Sequence, residues 1–311
     1  MRVLFWGTPE FAAAPLRALL GEGFDVVGVV TQPDKPVGRS RSLTPPPVKE
    51  IALEEKIPCL QPINAKDEEF LETITAMAPD ISIVVAYGHI LPKRVIELPR
   101  LGTLNIHASL LPLLRGAAPI QAAIRQGFRE TGVTIMRMVP ALDAGPIILT
   151  STIPILEDET YGELQNRLAE LGALTLIEAL ALIELGQASE TPQDDSLATY
   201  AAKVTRDDAR VDWTWPASEV SRTVRAYDPK PAAFTTLNGA DVKLFGARPD
   251  ASHAEKAGDP GEVIAVTDGI IVSCADGPVC IRDVQPAGKK RMQSIEWARG
   301  RGISIGDRLG T

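Results

Sequence analysis

The sequence predicts an α/β fold in which a doubly wound, mostly parallel sheet is followed by a small all-β barrel. Val- and Ile-rich runs alternate with helical segments in the first half, which is typical of parallel strands covered by helices on both faces. Short β-like runs broken by Gly, Pro, Asn and Asp fill the last third, and their even spacing is typical of a barrel. A polar segment separates the two patterns, so we expect two domains.

The strands of the first domain are predicted from short apolar runs bounded by turn residues. They lie at residues 3–6, 26–31, 81–86, 104–107, 132–139 and 146–155. Helices are predicted at 12–20 and 160–186 from apolar residues at helical spacing, and Gly186 can cap the second.

The stretch QASETPQDDS, at 187–196, is polar and turn-rich and predicts a linker. We therefore expect a first domain over 1–188, a linker over 189–208 and a second domain over 209–311. The strands of the second domain are predicted within FTTLNGADVKLF, GEVIAVTDGIIVSC and GPVCIRDV. Asn238-Gly239 predicts a hairpin turn inside the first of these stretches.

Composition limits the classes of protein to consider. The net charge of −8 argues against a protein that simply coats nucleic acid, although the second domain is nearly neutral and could present a basic face. Cys59, Cys274 and Cys280 have no zinc-binding spacing, and no apolar run has transmembrane length. The N-terminus lacks a signal-peptide pattern. We expect a cytoplasmic monomer that binds no metal and contacts no membrane.

Candidate catalytic residues lie in the stretch LNIHASLLPLLRGAAPI, which begins at Leu104. Asn105 and His107 are two apart on a predicted strand, so they point to one side, at the edge where doubly wound sheets bind ligands. Asp143 follows another strand in an apolar loop and needs a donor such as His107. Taken singly, each has an ordinary explanation as a turn former or a structural histidine. The glycine-rich fingerprints of nucleotide-binding loops are absent.

Several motifs together resemble those of the folate-dependent formyltransferase family. They are NIHASLLP, RGAAPIQ, TGVTIM, LDAGPI, GTPEFA and VVAYGHILP, and in the second half YAAKVTRDDARVDW, VRAYDP and QPAGKKRM. The resemblance extends from Leu4 to about Met292. It implies an N-terminal formyl-transfer domain and a C-terminal barrel of the oligonucleotide-binding type.

The resemblance also implies a reaction. The formyl group of 10-formyltetrahydrofolate, the co-substrate, would move to the α-amino group of methionine esterified to initiator tRNA, for translation initiation. Asn105, His107 and Asp143 match the family's catalytic trio. Asn105 and His107 would donate hydrogen bonds to the developing oxyanion. Asp143 would hold the required tautomer of His107 and could accept the proton of the amine, directly or through water.

Binding residues are implied in the same way. The expected folate contacts are Ser109, Leu110, Leu111, Pro112, Tyr87, Gly88, His89, Ile90, Leu91, Val139 and Leu142. The expected tRNA contacts are Arg39, Arg41, Lys35 and Lys49 around a loop that would enter the acceptor arm, and Arg222, Arg225, Lys289, Lys290 and Arg291 in the second domain.

The chain departs from the family pattern in two places. Leu113-Leu114 replaces a basic residue and an aromatic one, which removes a charge and a ring near the acceptor stem or the folate mouth. ALDAG replaces GLDTG and keeps Asp143. Two other functions remain open: formylation of a sugar-nucleotide amine by the same trio, and tRNA binding without catalysis. The second-domain motifs argue against the first, and the intact trio argues against the second.

Overall fold

The computed structural model describes residues 1–37, 42–256 and 258–311. The chain forms two compact units. The first contains Met1–Gly116, Thr131–Ile153 and Gln165–Tyr200, and the second contains Ala117–Glu130, Pro154–Leu164 and Ala201–Thr311. The boundaries expected from the sequence are continuous along the chain, whereas two short segments of the first half lie in the second unit.

The chain from the N-terminus to the end of the longest helix contains ten strands and six α-helices among the residues that the structure describes. In chain order they are β1 (Arg2–Gly7), α1 (Ala13–Gly21), β2 (Asp25–Val30), β3 (Lys35–Val37), β4 (Ser42–Thr44), α2 (Pro47–Glu54), β5 (Cys59–Leu60), α3 (Glu68–Ala76), β6 (Ile81–Val85), α4 (Lys93–Ile96), β7 (Thr103–His107), β8 (Arg115–Gly116), α5 (Pro119–Arg125), β9 (Glu130–Arg137), β10 (Ile147–Pro154) and α6 (Tyr161–Glu184).

Seven of these strands form one sheet with the order β10-β9-β7-β6-β1-β2-β5. β1 pairs in parallel with both β2 and β6, and β6 pairs in parallel with β7. β9 runs antiparallel to β7. The sheet is mostly parallel and doubly wound, which confirms the predicted fold class. The chain order reverses between β1 and β6, and ligands bind at such a reversal in folds of this type.

An apolar cluster covers one face of this sheet and fixes the direction of the site residues. Trp6 and Val84 pair in register and are 0% and 5% exposed. They pack with Phe70 and other apolar residues of α3 and α4. Val84 also pairs in register with Asn105, so Asn105 projects to the same face as the cluster. Ile106, its neighbour, projects to the other face, towards α6.

The second half of the chain is built mainly from antiparallel strands. Its elements are β11 (Tyr200–Ala201), α7 (Ala217–Tyr227), β12 (Ala233–Leu237), β13 (Ala240–Pro249), β14 (Val263–Val266), β15 (Ile270–Ser273), β16 (Pro278–Pro286), β17 (Met292–Gln293) and α8 (Ser294–Arg299). The sheet order is β12-β13-β16-β15-β14, and β17 pairs with β16.

The predicted hairpin of this unit is present. Asn238 and Gly239 connect β12 and β13 with φ angles of 52° and 78°, the left-handed values that a two-residue hairpin turn requires. The sequence did not predict α7, which packs on β13 through the Ser221 hydroxyl, a donor to the Ala247 carbonyl at 2.9 Å. In the part of the chain that the structure describes, no helix is both long and apolar enough to cross a bilayer.

Candidate active site

The site begins at the carboxyl end of β7, in the middle of the sheet. Asn105 is half-buried and His107 is 6% exposed, and their two-residue spacing places both side chains on the face that carries Trp6. His107 pairs in register with Thr134 of β9. The strand ends there, so the imidazole lies where the chain leaves the sheet and enters a loop.

Hydrogen bonds to Thr134 of β9 and within the loop itself hold the loop after β7 in a tight turn. The Thr134 hydroxyl donates to the Ser109 carbonyl at 2.7 Å and accepts from the Leu111 amide at 3.1 Å. The Ser109 hydroxyl donates to the Leu113 carbonyl at 2.6 Å. These bonds turn the chain back towards β7, although the loop is otherwise apolar.

This turn directs a main-chain carbonyl at the imidazole. Leu114 has a φ of 58° and is 1% exposed, and its carbonyl oxygen lies 2.9 Å from His107 Nε2. A carbonyl can only accept, so His107 Nε2 carries the hydrogen and donates it. The Leu114 carbonyl thus fixes the tautomer, a task that the sequence assigned to Asp143. Leu114 is a core residue, while Leu113 is 37% exposed.

Asp143 faces the other ring nitrogen. Its Oδ2 atom lies 3.7 Å from His107 Nδ1, and the exposed fractions of the two side chains are 14% and 6%. The same oxygen accepts a hydrogen bond from the Gly116 amide at 2.7 Å. The structure therefore brings together the histidine and the carboxylate that the sequence placed on separate strand ends.

The loop that carries Asp143 closes on itself between β9 and β10. The Arg137 amide donates to the Pro146 carbonyl at 2.9 Å. Gly145 packs against the Arg137 carbonyl so closely that a Cβ at this position would lie 1.8 Å from the oxygen. Only glycine fits there, because any side chain would force the two strand ends apart.

Two residues without a predicted role support this loop. Gln193 Nε2 donates to the carbonyls of Asp143 and Gly145, at 2.8 Å each. Gln193 Oε1 accepts from Arg115 Nε at 3.1 Å and Nη2 at 2.8 Å. Arg115 is 3% exposed, and its Nη2 also reaches Asp195 Oδ1 at 2.7 Å. Arg115 belongs to the motif RGAAPIQ, which gave it no predicted role, and Gln193 lies in the stretch predicted as a linker.

The residues expected to contact folate after β6 divide into buried and exposed ones. Tyr87 is 2% exposed, with its ring edge-on to Trp6 at 5.3 Å, and burial raises the pKa of its hydroxyl to about 12. That hydroxyl makes no hydrogen bond among the residues that the structure describes. Gly88, His89 and Ile90 are exposed, and Ile90 reaches 88%. Leu91 is buried.

The other expected folate contacts lie in the loops after β7 and β9. Ser109 and Leu111 are buried, whereas Leu110, Pro112 and Val139 are half-buried. Leu142, beside Asp143, is 59% exposed. Both the hydroxyl and the main-chain carbonyl of Ser109 already form hydrogen bonds within the protein.

The expected tRNA contacts of the first unit differ in what they already bind. Arg39 and Arg41 lie outside the described residues. Lys35 is exposed on β3. Lys49 Nζ contacts Asp34 Oδ2 at 2.8 Å and Gln61 Oε1 at 2.7 Å. The hydrogen bond from Lys49 is the main cause that lowers the pKa of Asp34, and the hydrogen bond from Gln61 is the next.

In the second unit, Lys289 and Lys290 are exposed. The three arginines have protein partners. Arg222 Nε donates to the Arg125 carbonyl at 3.2 Å, and Arg225 Nη1 to the Glu159 carbonyl at 3.0 Å.

Arg291 is the most heavily engaged of the three. It pairs with Asp283 at 2.8 Å and Asp228 at 3.2 Å, and its guanidinium carbon lies 4.2 Å from the centre of the Phe245 ring. Only some of the expected tRNA contacts therefore carry an uncommitted charge.

A mostly parallel, doubly wound sheet with a buried His beside a half-buried Asp at its strand ends defines an α/β enzyme whose site can perform acid–base chemistry. The chain belongs to the formyl transferase family. The family model described as "Formyl transferase" matches residues 1–180, and the model "Formyl transferase, C-terminal domain" matches residues 203–302.

Individual proteins give the same result. The chain is 50% identical to a methionyl-tRNA formyltransferase of Pseudomonas fluorescens over 93% of its own length and 90% of the relative. It is 46% identical to a methionyl-tRNA formyltransferase of Methylococcus capsulatus over the full length of both. Its fold is similar to that of HypX from Aquifex aeolicus in complex with tetrahydrofolic acid, with a TM-score of 0.65 and 24% identity. That match covers 97% of this chain and 47% of HypX, so the chain spans about half of that protein.

Proposed function

We propose that this enzyme transfers the formyl group of 10-formyltetrahydrofolate to the α-amino group of methionyl initiator tRNA, as a monomer in the cytoplasm. Both family domains and the names of the full-length relatives support this substrate pair. The observation that carries the proposal is the pair formed by buried His107 and half-buried Asp143, with the hydrogen of the ring held on Nε2 by the Leu114 carbonyl.

The geometry supports a mechanism in which one nitrogen of His107 carries out the proton transfers. Because Nε2 is occupied by the Leu114 carbonyl, Nδ1 is the atom of neutral His107 that can accept a proton. It would take the proton that the methionyl amine loses as its nitrogen bonds to the formyl carbon. The resulting imidazolium would face Asp143 Oδ2, and the negative charge at 3.7 Å would stabilise it.

Two further steps complete the reaction. Attack gives a tetrahedral carbon whose oxygen carries negative charge, and the Asn105 amide on the same strand face would donate to that oxygen. Breakage of the bond between this carbon and N10 of the folate would then return the carbonyl and free the formylated amine. The protonated Nδ1 of His107 can supply the proton that N10 needs, which restores the neutral ring.

The substrates would approach from the loops at the strand ends. A flat pterin ring suits a slot with apolar walls and main-chain donors and acceptors at its edge, and the expected folate contacts after β6, β7 and β9 include such groups. Lys35, Lys289 and Lys290 are the best candidates for phosphate contacts, because they are exposed. Lys49 and Arg291 would first have to release the carboxylates that they bind.

The proposal is tested by incubating the chain with labelled 10-formyltetrahydrofolate and methionyl initiator tRNA. We expect label in formylmethionyl-tRNA and no transfer to a nucleotide-linked amino sugar. A wild-type chain that binds the tRNA but never transfers label would support a binding protein instead. Preferential labelling of the amino sugar would support a sugar-nucleotide formyltransferase.

A further inference from the structure

Arg115 and Gln193 lie beside the His107–Asp143 pair, and the mechanism above gives them no role. We propose that they are positioning residues that hold Asp143 against His107. This inference rests on the proposed function, because it explains how the catalytic carboxylate is held in place. It also assigns part of the stretch predicted as a linker to the support of the active site.

The carboxamide of Gln193 has only one orientation that satisfies its partners. Its oxygen faces the guanidinium of Arg115, which can only donate, and its nitrogen faces the carbonyls of Asp143 and Gly145, which can only accept. A flipped amide would place donors against donors and acceptors against acceptors. Gln193 is therefore a fixed clamp on the main chain on both sides of Ala144.

The dipeptide Arg115-Gly116 holds Asp143 at two points. The Arg115 side chain orients Gln193, which binds the Asp143 carbonyl, while the Gly116 amide binds the Asp143 carboxylate. Asp143 has a φ of 48°, a left-handed conformation that is uncommon outside glycine and persists when the surroundings enforce it. The two attachments fix both the main chain and the carboxylate of this one residue.

Arg115 is itself held firmly. Its amide donates to the Thr199 carbonyl at 2.8 Å. Burial lowers the pKa of its guanidinium, but the hydrogen bonds and charges of Asp195 and Tyr200 outweigh burial and raise it. The group thus stays charged, and charge-assisted donors are stronger than neutral ones. Two of these donors bind the uncharged Gln193 amide. Burying a cation costs free energy, and here the buried cation holds Gln193 in place.

The Gly116 amide reports the position of the Asp143 carboxylate without any turnover. In protein labelled with ¹⁵N-glycine, we expect slow exchange and a downfield shift for this amide in the wild type, and loss of both in Asp143→Ala. Gln193→Ala should move the resonance towards that of Asp143→Ala and speed its exchange about 10-fold or more. The exposed Gln187, replaced by Ala, is the matched control and should change neither. An unchanged Gly116 resonance in Gln193→Ala would overturn the inference.

Kinetics give a second readout that a general loss of stability would not produce. Gln193→Ala should lower kcat about 10- to 100-fold while KM for both substrates stays within about twofold, because a misplaced catalytic group costs rate rather than binding. Gln193→Glu, which keeps the acceptor for Arg115 but loses both donors, should behave like Gln193→Ala.

A cycle with Asp143 decides whether the effect passes through that residue. In an Asp143→Ala background, adding Gln193→Ala should cost less than about twofold further. The positioning role would be contradicted if the losses in kcat from the two substitutions were fully additive. It would also be contradicted if Gln193→Ala, Gln193→Glu and Arg115→Lys all kept the kcat of the wild type. If the wild type transfers no formyl group, the proposed function fails, and the Gly116 measurement still decides whether Gln193 positions Asp143.

Discussion

The two units of this chain each contain a His–Asp pair, and the pairs are built differently. In the second unit, His253 Nδ1 lies 2.8 Å from Asp250 Oδ2, and the two residues are three apart in sequence. The other oxygen of Asp250 caps the Ser252 amide at 2.7 Å. In the first unit, His107 and Asp143 come from different strand ends and stand 3.7 Å apart.

The way each pair is built, rather than its distance, is what favours His107 and Asp143 as the catalytic pair that we propose. The Asp250 pair is a local turn in which both carboxylate oxygens are satisfied, and such turns form wherever an Asp precedes a helical turn. The Asp143 pair needs an ordered sheet, the turn after β7 and the Gln193 clamp. Non-local supports of this kind are typical of an active site, since they hold groups that local structure would not bring together.

Removal of His107 should lower kcat/KM far more than removal of His253. His107→Ala should lower kcat/KM for formyl transfer about 10²- to 10⁴-fold, the range for loss of a general acid–base group. His253→Ala should leave kcat/KM within about twofold of the wild type, because it lies outside the proposed site. Initial rates with both substrates varied measure the effect. Equal losses in the two variants would contradict the comparison.

Loss of the Asp143 charge should lower kcat, whereas loss of the Asp250 charge should not. The effect should be smaller than that of His107→Ala. Asp143→Asn keeps the shape and an acceptor for the Gly116 amide but removes the charge that faces His107. We expect kcat to fall about 100-fold, since the imidazolium loses its counter-charge. Asp250→Asn is the matched control, and its kcat should equal that of the wild type. An active Asp143→Asn enzyme would remove the carboxylate from the mechanism.

The second pair should matter for stability instead. Burial raises the pKa of Asp250, but hydrogen bonds from His253 and Ser252 outweigh it and hold the pKa below the usual 3.8. A depressed carboxyl pKa contributes stability above the unfolded value, and that contribution is lost as the pH falls through the folded value. At pH 7, Asp250→Asn should therefore lower the free energy of unfolding by about 1–2 kcal/mol.

Denaturant unfolding at several pH values measures this dependence. The difference between wild type and Asp250→Asn should be constant near neutrality and should shrink as the pH falls below 3.8. A difference that grows towards acid pH would show that the sign of the shift is wrong.

Removing Asp195, the exposed partner of Arg115, should change kcat least. Asp195 is 80% exposed, and Arg115 keeps both bonds to Gln193 when Asp195 is removed. Asp195→Ala should therefore change kcat by no more than about twofold, as expected for an exposed ion pair. A loss as large as that of Gln193→Ala would show that the clamp depends on Asp195.

Periodicity was sufficient to predict most of the large elements. Buried strands such as β2 and β6 are largely apolar runs, and α6 has a clear helical repeat that ends two residues before Gly186. Their pattern reflects local burial, so sequence alone reveals it. The short strands β3, β4, β5, β8, β11 and β17 were missed, because two or three residues carry no period. The helices α2, α3, α4, α5, α7 and α8 were missed as well, because none is longer than the 11 residues of α7 and each shows few helical repeats.

The sequence predicted only some of the residues of the candidate site. His107 and Asp143 were expected to meet because strand ends of one sheet converge. The Leu114 carbonyl and Gln193 were not found, since a main-chain acceptor has no sequence signature and Gln193 lies among the polar residues of an apparent linker. Gln193 acts on a residue 50 positions away, whereas Leu114, seven residues from His107, acts through the conformation of a loop, and composition encodes neither.

The central claim is that His107 and Asp143 act as one unit on the reacting formyl group. A double-mutant cycle in single-turnover formyl transfer to methionyl initiator tRNA tests it most directly, with His107→Ala, Asp143→Ala and the double variant. We expect the double variant to be no slower than His107→Ala alone, within about twofold. Losses that multiply across the two positions would show that the residues act independently and would contradict it.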